Sequence, residues 1–307
     1  MRYGQHGPLF LSGTYAENVI VLTLKKIKID FTDTLKGLYP LEEIQSFFNI
    51  LSEKYLNLSR IEVALNPDRT FSKTEAEKFR KAISRLKKHE PIQYIIRETE
   101  FYGLPFKVNK HTLIPRPETE ELVEWILDNS EFRIQDSELL DIGTGTGCIA
   151  ISLAKNLASA NVSALDISEE ALKIASKNAE INEVKVDLFQ MDVLNTKTLP
   201  RQYDIIVSNP PYVRELEKKQ MQQNVLNYEP ESALYVSNED PLLFYRTISR
   251  LAKRYLKSNG KLFFEINEYL ADELTELLKS EDFKNIEVKK DIFGKNRMIK
   301  CNLNEPT

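Results

Sequence analysis

The residues best equipped for chemistry are Asn209-Pro210-Pro211-Tyr212, which directly follow the apolar run Tyr203 to Ser208. That run reads as a buried strand, so the tetrapeptide sits where a strand ends and a loop opens, the place where open α/β sheets hold their ligands. Asn209 offers a side-chain carbonyl, and Pro210 a backbone carbonyl with no N–H beside it. Two prolines stiffen the backbone and bias the preceding residue to an extended conformation. Tyr212 supplies an aromatic face that could stack on or wall a planar group. These parts together suit an NH2 group on an sp2 carbon. Taken alone, the stretch reads equally well as a proline-rich loop with an incidental tyrosine, and the upstream residues decide between the two.

Asp141-Ile142-Gly143-Thr144-Gly145-Thr146-Gly147 joins a strand to a helix. Its glycines permit positive φ and close approach of backbone to a ligand. A dinucleotide fingerprint requires Gly-x-Gly-x-x-Gly; here the third glycine comes one residue early and Cys148 follows. The loop therefore suits a ligand without pyrophosphate, such as S-adenosylmethionine. Asp166 ends the next strand, where a carboxylate can accept hydrogen bonds from both ribose hydroxyls. Asp192 and Val193, after the third strand, would lie near the adenine edge. Each has a plainer reading: Asp166 as a helix cap, although Ser168 fits that role better, Asp192 as a turn residue, Cys148 as a packed small hydrophobe rather than a reactive thiol. The glycine loop, Asp166 and Asn209 to Tyr212 fall at the C-terminal ends of strands one, two and four, which converge on one crevice. Their coincidence points to a methyltransferase site.

The expected acceptor nitrogen, a carboxamide or exocyclic amine, is a poor nucleophile because its lone pair is delocalised, as the roughly 18–20 kcal/mol barrier to amide rotation reflects. No strong base is evident in the motif. Orientation and electrostatics are the remaining means: Asn209 Oδ1 and the Pro210 carbonyl each accept one N–H, aim the lone pair and stabilise positive charge building on nitrogen.

Elements that could position these groups are legible along the chain. Residues 29–89 look helical: apolar residues recur three and four apart over 41–51, Asn66-Pro67-Asp68 breaks the run, and Ser72 with Glu75 suggests a capped helix over 74–88. Gln93 to Ile96 and Glu100 to Val108 look like two short strands of a β-hairpin. Two prolines, Pro115 and Pro117, precede a helix over 118–129. From Glu138 onward strands and helices alternate, which predicts an α/β fold with a mostly parallel, Rossmann-like sheet covered on both faces, one of its last two strands antiparallel. The boundaries drawn are an unassigned N-terminal extension (1–24), a helical domain (25–90), a hairpin linker (91–113) and an S-adenosylmethionine-dependent methyltransferase domain (114–307).

At 307 residues, with 42% apolar content and a formal net charge of −4, the chain can build a real core and shows no sign of a nucleic-acid or membrane surface. Two cysteines imply no disulfide framework and fit a reducing, cytoplasmic location. The three histidines, His6, His89 and His111, are scattered, and no Cys/His spacing resembles a metal site. No apolar run approaches the roughly 20 residues of a membrane helix. Residues 9–24 have some apolar character but read as an untethered tail or an overextended translation start.

The chain resembles the release factor glutamine methyltransferases (the PrmC/HemK family) over roughly residues 30–303. The residues that carry the resemblance are Pro91 to Ile95, Phe101 to Leu104, Leu113 to Glu120 with its Pro-Arg-Pro-Glu-Thr-Glu run, Asp141 to Gly147, Asn209 to Tyr212 and Tyr228 to Leu234. The resemblance implies a helical N-terminal domain that docks the release factor and a seven-stranded catalytic domain. It further implies S-adenosyl-L-methionine held by Gly143 to Gly147, Asp166 and Asn209, and methylation of the side-chain nitrogen of the glutamine in the Gly-Gly-Gln motif, held by Asn209 to Tyr212. A release factor is then the partner of a monomer that contacts neither nucleic acid nor membrane. Arg97 stands where the family often has glycine, which bears on the hairpin's turn. Val193 follows Asp192 where the family often has an aromatic, which bears on how adenine is held. Two alternatives share the tetrapeptide: a glutamine methyltransferase acting on a ribosomal protein, and an adenine-N6 nucleic-acid methyltransferase. The second predicts a basic groove and base flipping, against which the acidic balance argues.

Overall fold

A computed structural model describes residues 22–128 and 136–303. Residues 1–21 of the expected N-terminal extension, and Asn129 at the end of the expected 118–129 helix, lie outside the described residues. The chain divides into two compact units, Met1–Lys87 and Lys88–Thr307.

In the first unit, α1 (Leu24–Leu35), α2 (Leu41–Leu56), α3 (Arg60–Leu65) and α4 (Lys73–Leu86) surround an aromatic core. The apolar spacing in α2 turns Ile44, Phe47, Phe48 and Leu51 to one buried face. Phe48 packs against Phe31 and Phe79 at centroid distances of 5.4 and 5.6 Å. Ser72 and Glu75 form the expected capping box of α4, whose charged residues leave only Ala76, Phe79, Ala82 and Leu86 buried. A second box, Ser59 with Glu62, starts α3. Helix α1 begins at Leu24, within the stretch expected to be the extension.

The second unit opens differently from the expectation. Residues 93–96 belong to a short helix, α5 (Ile92–Ile96), rather than a strand. Pro91 starts it, its carbonyl accepting from the N–H of Tyr94 and Ile95 at 3.0 and 3.1 Å. A five-residue stretch with four apolar residues fits helix and strand alike. The expected single strand over 100–108 is most of the hairpin itself: β1 (Glu98–Phe101) pairs antiparallel with β2 (Leu104–Lys107). Tyr102 and Gly103 both have positive φ, 50° and 70°, as a tight two-residue hairpin turn requires. Arg97 is thus not in the turn; it is the left-handed C-cap of α5, with φ 63°.

After α6 (Pro117–Asp128) come β3 (Glu138–Ile142), α7 (Cys148–Asn156), β4 (Asn161–Asp166), α8 (Glu169–Ile181), β5 (Asp187–Gln190) and β6 (Tyr203–Ser208). An insertion follows: β7 (Val213–Arg214), a 3-10 turn, α9 (Gln223–Tyr228) and β8 (Tyr235–Val236), the two short strands pairing parallel. Then α10 (Leu243–Tyr255), β9 (Leu256–Glu265), α11 (Ala271–Ser280), β10 (Lys284–Lys290) and β11 (Asn296–Asn302) complete the unit. The main sheet has seven strands in the order β10-β11-β9-β6-β3-β4-β5. Only β11 runs antiparallel, to both neighbours. Alternation along the strands divides the core: Leu139, Ile205, Val207 and Phe263 pack with α6, α7 and α8, while Leu140, Ile142, Ile206 and Phe264 pack with α10 and α11. Each such side chain, fully buried, contributes about 1.5–3 kcal/mol. No described helix is long and apolar enough to cross a membrane.

Candidate active site

Sheet register brings the predicted residues together. Ile142 on β3 pairs with Leu165 on β4 and with Ser208 on β6. The next residue on each strand is Gly143, Asp166 and Asn209, so all three emerge side by side at the C-terminal edge. The chain leaves β3 toward β4 on one flank while β6 lies on the other, which opens a crevice between them. A cavity of about 340 Å³ fills it. Gly143, Thr144, Gly145, Thr146, Asp166, Asp192, Val193, Asn209, Pro210 and Pro211 line it; Gly147 and Tyr212 do not.

Gly143, Gly145 and Gly147 have φ of 76°, 56° and 81°. A Cβ at Gly143 or Gly145 would have no heavy atom within 4 Å, so both leave an open cradle for a ligand. Gly147 has a different reason to be glycine: it caps α7, and a Cβ there would lie 2.8 Å from Ile151 Cδ1 and 3.2 Å from Ala175 Cβ. The N–H groups of Gly143 and Thr144 donate to the Leu165 carbonyl. The Thr144 hydroxyl donates to Asp141 Oδ2 at 2.6 Å.

Asp166 Oδ2 accepts from the Gly145 N–H and Oδ1 from the Ser168 N–H, each at 2.9 Å. One bond per oxygen leaves about half of a carboxylate's acceptor capacity open. Burial raises its pKa; the backbone donors pull the other way. Ser168 caps α8. Asp192 closes its own turn, accepting from Leu194 N–H and the Asn195 side chain, as well as lining the cavity. Ile167, Met191, Val193 and Leu194 give that end an apolar wall. Burial pushes the Cys148 thiol up to about 12, which fits the packed reading. An open glycine cradle, a carboxylate with spare lone pairs and an apolar wall fit S-adenosylmethionine.

Asn209 Nδ2 donates to the Thr119 hydroxyl at 3.3 Å, which leaves Oδ1 as the acceptor end of the amide. Tyr212 stands behind the cavity wall, its hydroxyl donating to Glu265 Oε1 at 2.9 Å. Tyr212 thus supports the turn from behind the cavity.

The comparisons with known proteins agree with this geometry. A family model described as "Methyltransferase small domain" matches residues 119–233, and one described as "PrmC N-terminal domain" matches residues 31–96. A release factor glutamine methyltransferase of Flavobacterium psychrophilum is 50% identical over 283 residues, covering 92% of this chain and 99% of the relative. The one from Bacteroides thetaiotaomicron is 43% identical over 281 residues, covering 91% and 100%. The chain belongs to the release factor glutamine methyltransferase family. Among solved structures, the catalytic domain of hMettl16, in complex with the MAT2A 3'UTR hairpin 6, is 17% identical with a TM-score of 0.53, covering 78% of this chain and 86% of that one, and so shares the fold.

Several residues brace this family member's site through long-range bonds that the sequence does not announce, although Glu120 and Glu229 fall in runs that carry the resemblance. Asn178, buried in α8, accepts from the Lys107 N–H and donates to the carbonyls of Lys107 and Thr146. It thereby ties the hairpin and the glycine loop to one helix. Asn182 adds a bond to the Pro105 carbonyl. Glu120 accepts from the Tyr102 N–H at 2.9 Å and holds the hairpin's turn. Glu229, with 1% side-chain exposure, accepts from Arg116 at 2.6 Å and from the Ile114 N–H. Asn178 and Asn182 read as ordinary polar residues until their partners, 32 to 77 residues away, are known.

Proposed function

We propose that the chain transfers the methyl group of S-adenosyl-L-methionine to the side-chain amide nitrogen (N5) of the glutamine in the Gly-Gly-Gln motif of peptide chain release factors. The observation that carries this reading is Asn209: its Nδ2 is engaged by Thr119, its Oδ1 is left to accept, and it lines one cavity with the glycine loop and Asp166. Two relatives that match over 92% and 91% of this chain are each named a release factor glutamine methyltransferase, which supports the reading.

When bound, S-adenosylmethionine supplies a methyl group activated by a sulfonium. Gly143 to Gly147, Asp166, Asp192 and Val193 would hold it. Asn209 Oδ1 and the Pro210 carbonyl would accept the two N–H groups of the glutamine amide, so that its lone pair faces the donor. Positioning of this kind contributes up to about 7–11 kcal/mol in favourable cases, and fixed carbonyl dipoles stabilise positive charge on nitrogen without reorganising. No base is needed, because the N-protonated amide is strongly acidic and releases its proton to water. Pro211 and Tyr212 hold the turn. The helical region 25–90 would dock the release factor, the 91–113 segment would link, and 114–307 would carry the chemistry.

The test offers labelled S-adenosylmethionine with a release factor, a ribosomal protein and DNA in separate incubations. Label is expected on the glutamine of the release factor. Label on DNA or on the ribosomal protein alone refutes the reading. Asn209→Ala is expected to lose most turnover while cofactor affinity changes little; unchanged turnover removes Asn209 from this role.

A further inference from the structure

Glu265 ends β9 and is 1% exposed, yet nothing in the chemistry above requires a carboxylate there. Its two oxygens are used separately. Oε2 accepts from the Thr119 hydroxyl at 2.6 Å and Oε1 from the Tyr212 hydroxyl at 2.9 Å. Thr119 comes from the Pro-Arg-Pro-Glu-Thr-Glu run and Tyr212 from the tetrapeptide. One buried carboxylate therefore joins the two motifs that most mark this chain.

We propose that Glu265, acting through Thr119, is the positioning residue that decides which end of the Asn209 amide faces the cavity, and that through Tyr212 it anchors the far end of the same tetrapeptide. The inference rests on the function proposed above and deepens it. Both hydroxyls donate to Glu265, one to each carboxyl oxygen, so both hydroxyl protons point at it. Thr119 has a single proton. With that proton directed at Oε2, its oxygen can only accept from Asn209, 3.3 Å away. An Asn209 oxygen in that place would meet a lone pair with no proton between them. The NH2 must therefore turn back to Thr119, and Oδ1 must turn the other way, where it can receive a substrate N–H. A carboxamide with its ends exchanged would present two donors to a group that itself consists of donors.

Burial raises the Glu265 pKa and the Glu118 carboxylate adds to this, while the Thr119 and Tyr212 hydroxyls and the Arg297 guanidinium pull the other way. Arg297 is itself held by Asp291 at 3.1 Å. On the other side, the Tyr245 hydroxyl donates to the Glu265 backbone carbonyl at 3.1 Å, fixing the strand end that carries the carboxylate. Glu265 touches neither cavity nor substrate; its effect passes through Thr119 and Tyr212.

Thr119→Val keeps the side-chain shape and removes both bonds; Thr119→Ser keeps both. With release factor as acceptor, T119V is expected to lower kcat by about 100-fold, the scale of a misplaced positioning group. The cofactor Kd should stay within about twofold, and T119S should recover most of the rate. Glu265→Gln has one acceptor and one donor where two acceptors are needed, so it is also expected to lower kcat. A readout independent of the acceptor is the side-chain amide signal of Asn209 in protein labelled with 15N-asparagine, assigned by its loss in Asn209→Ala. Slow exchange of one of its protons should be present in the unmodified chain and T119S, and absent in T119V. If the unmodified chain leaves release factor unlabelled, the proposed function fails while the amide signal still decides the relay. If T119V turns over at the normal rate, or its Asn209 protons exchange as in the unmodified chain, the relay is wrong.

Discussion

Gly147→Ala tests the packing of the cofactor loop separately from its chemistry. Gly147 has φ 81°, and an added Cβ would lie 2.8 Å from Ile151 Cδ1 and 3.2 Å from Ala175 Cβ. Carbon atoms prefer about 3.5–4.0 Å. Ile151 is 1% exposed and Ala175 fully buried, so neither can swing into solvent. The Ala175 methyl moves only with its backbone, and that means parting α7 from α8. The left-handed backbone costs an L-residue about 1–2 kcal/mol, and overpacking a close-packed core adds about 1–3 kcal/mol. A loss of about 2–5 kcal/mol follows, a large part of a typical stability of about 5–15 kcal/mol. Gly145→Ala is the control. Its φ is 56°, but its Cβ would meet nothing within 4 Å, so only the backbone cost applies. That methyl would project where the cavity lies. Urea unfolding should therefore place G147A below G145A by about 1–3 kcal/mol, while calorimetric titration with S-adenosylmethionine should show the greater affinity loss for G145A. Equal unfolding midpoints for the two variants would refute the packing argument.

Three further outcomes are expected. Asp166→Ala should weaken S-adenosylmethionine by about 10- to 150-fold, the range for hydrogen bonds to a charged group at about 1.5–3 kcal/mol; an unchanged Kd by calorimetry contradicts its assignment to the ribose. Asp141, wholly buried, has its carboxyl raised to about 7 by burial. Between the ordinary carboxylate range and about 7 the folded chain keeps a proton that the unfolded chain has released, so this group costs stability as pH rises through that window. Asp141→Asn cannot titrate. Its stability relative to the unmodified chain should rise by an amount on the order of 4 kcal/mol between pH 4 and 7, at about 1.36 kcal/mol per unit; a pH-independent difference in urea midpoints refutes the shift. Arg97, exposed at φ 63°, pays for a left-handed C-cap; Arg97→Gly should gain about 0.5–1 kcal/mol after the unfolded-state entropy of glycine is counted, and a lowered melting temperature would show that the arginine side chain contributes more than its backbone costs.

The parts of this protein legible in its sequence are those whose signal is local. Mainly apolar runs at 139–142, 162–165 and 203–208 announce buried parallel strands, and Ser72 with Glu75 announces a helix start from four residues. The ends of those strands then locate Gly143, Asp166 and Asn209 without further information, because parallel pairing sets them level. Ile92 to Ile96 misleads because five residues, apolar except for Gln93, have no measurable period. Tyr102 misleads because a bulky residue at φ 50° is an unusual turn former. Glu265 carries no local signal, and Thr119, although it falls in the run that marks the family resemblance, carries none that points to this partner. A glutamate at a strand end and a threonine in a helix's first turn both read as solvated, and their pairing spans 146 positions.

The Pro-Arg-Pro-Glu-Thr-Glu run acquires a physical meaning from these long-range bonds. Successive residues of one short segment reach in different directions: Arg116 to Glu229 in the insertion, Thr119 to Asn209 and Glu265, Glu120 to the N–H of the hairpin turn at Tyr102. A helix N-terminus can do this because its first turn needs no i→i−4 donors from these residues and splays its side chains outward. Asn178 then joins the same hairpin to the glycine loop through Lys107 and Thr146. The glycine loop and Asn209 are thus parts of one hydrogen-bonded block, and the Ser208 hydroxyl, donating to the Ile142 carbonyl at 2.6 Å, adds a side-chain bond between their own strands. Methyl transfer to a weak nucleophile depends on the distance and angle between donor and acceptor, and with no base available that geometry is the main contribution the protein can make. A block braced from the hairpin, the Pro-Arg-Pro-Glu-Thr-Glu run and β9 holds that geometry more tightly than separate loops could.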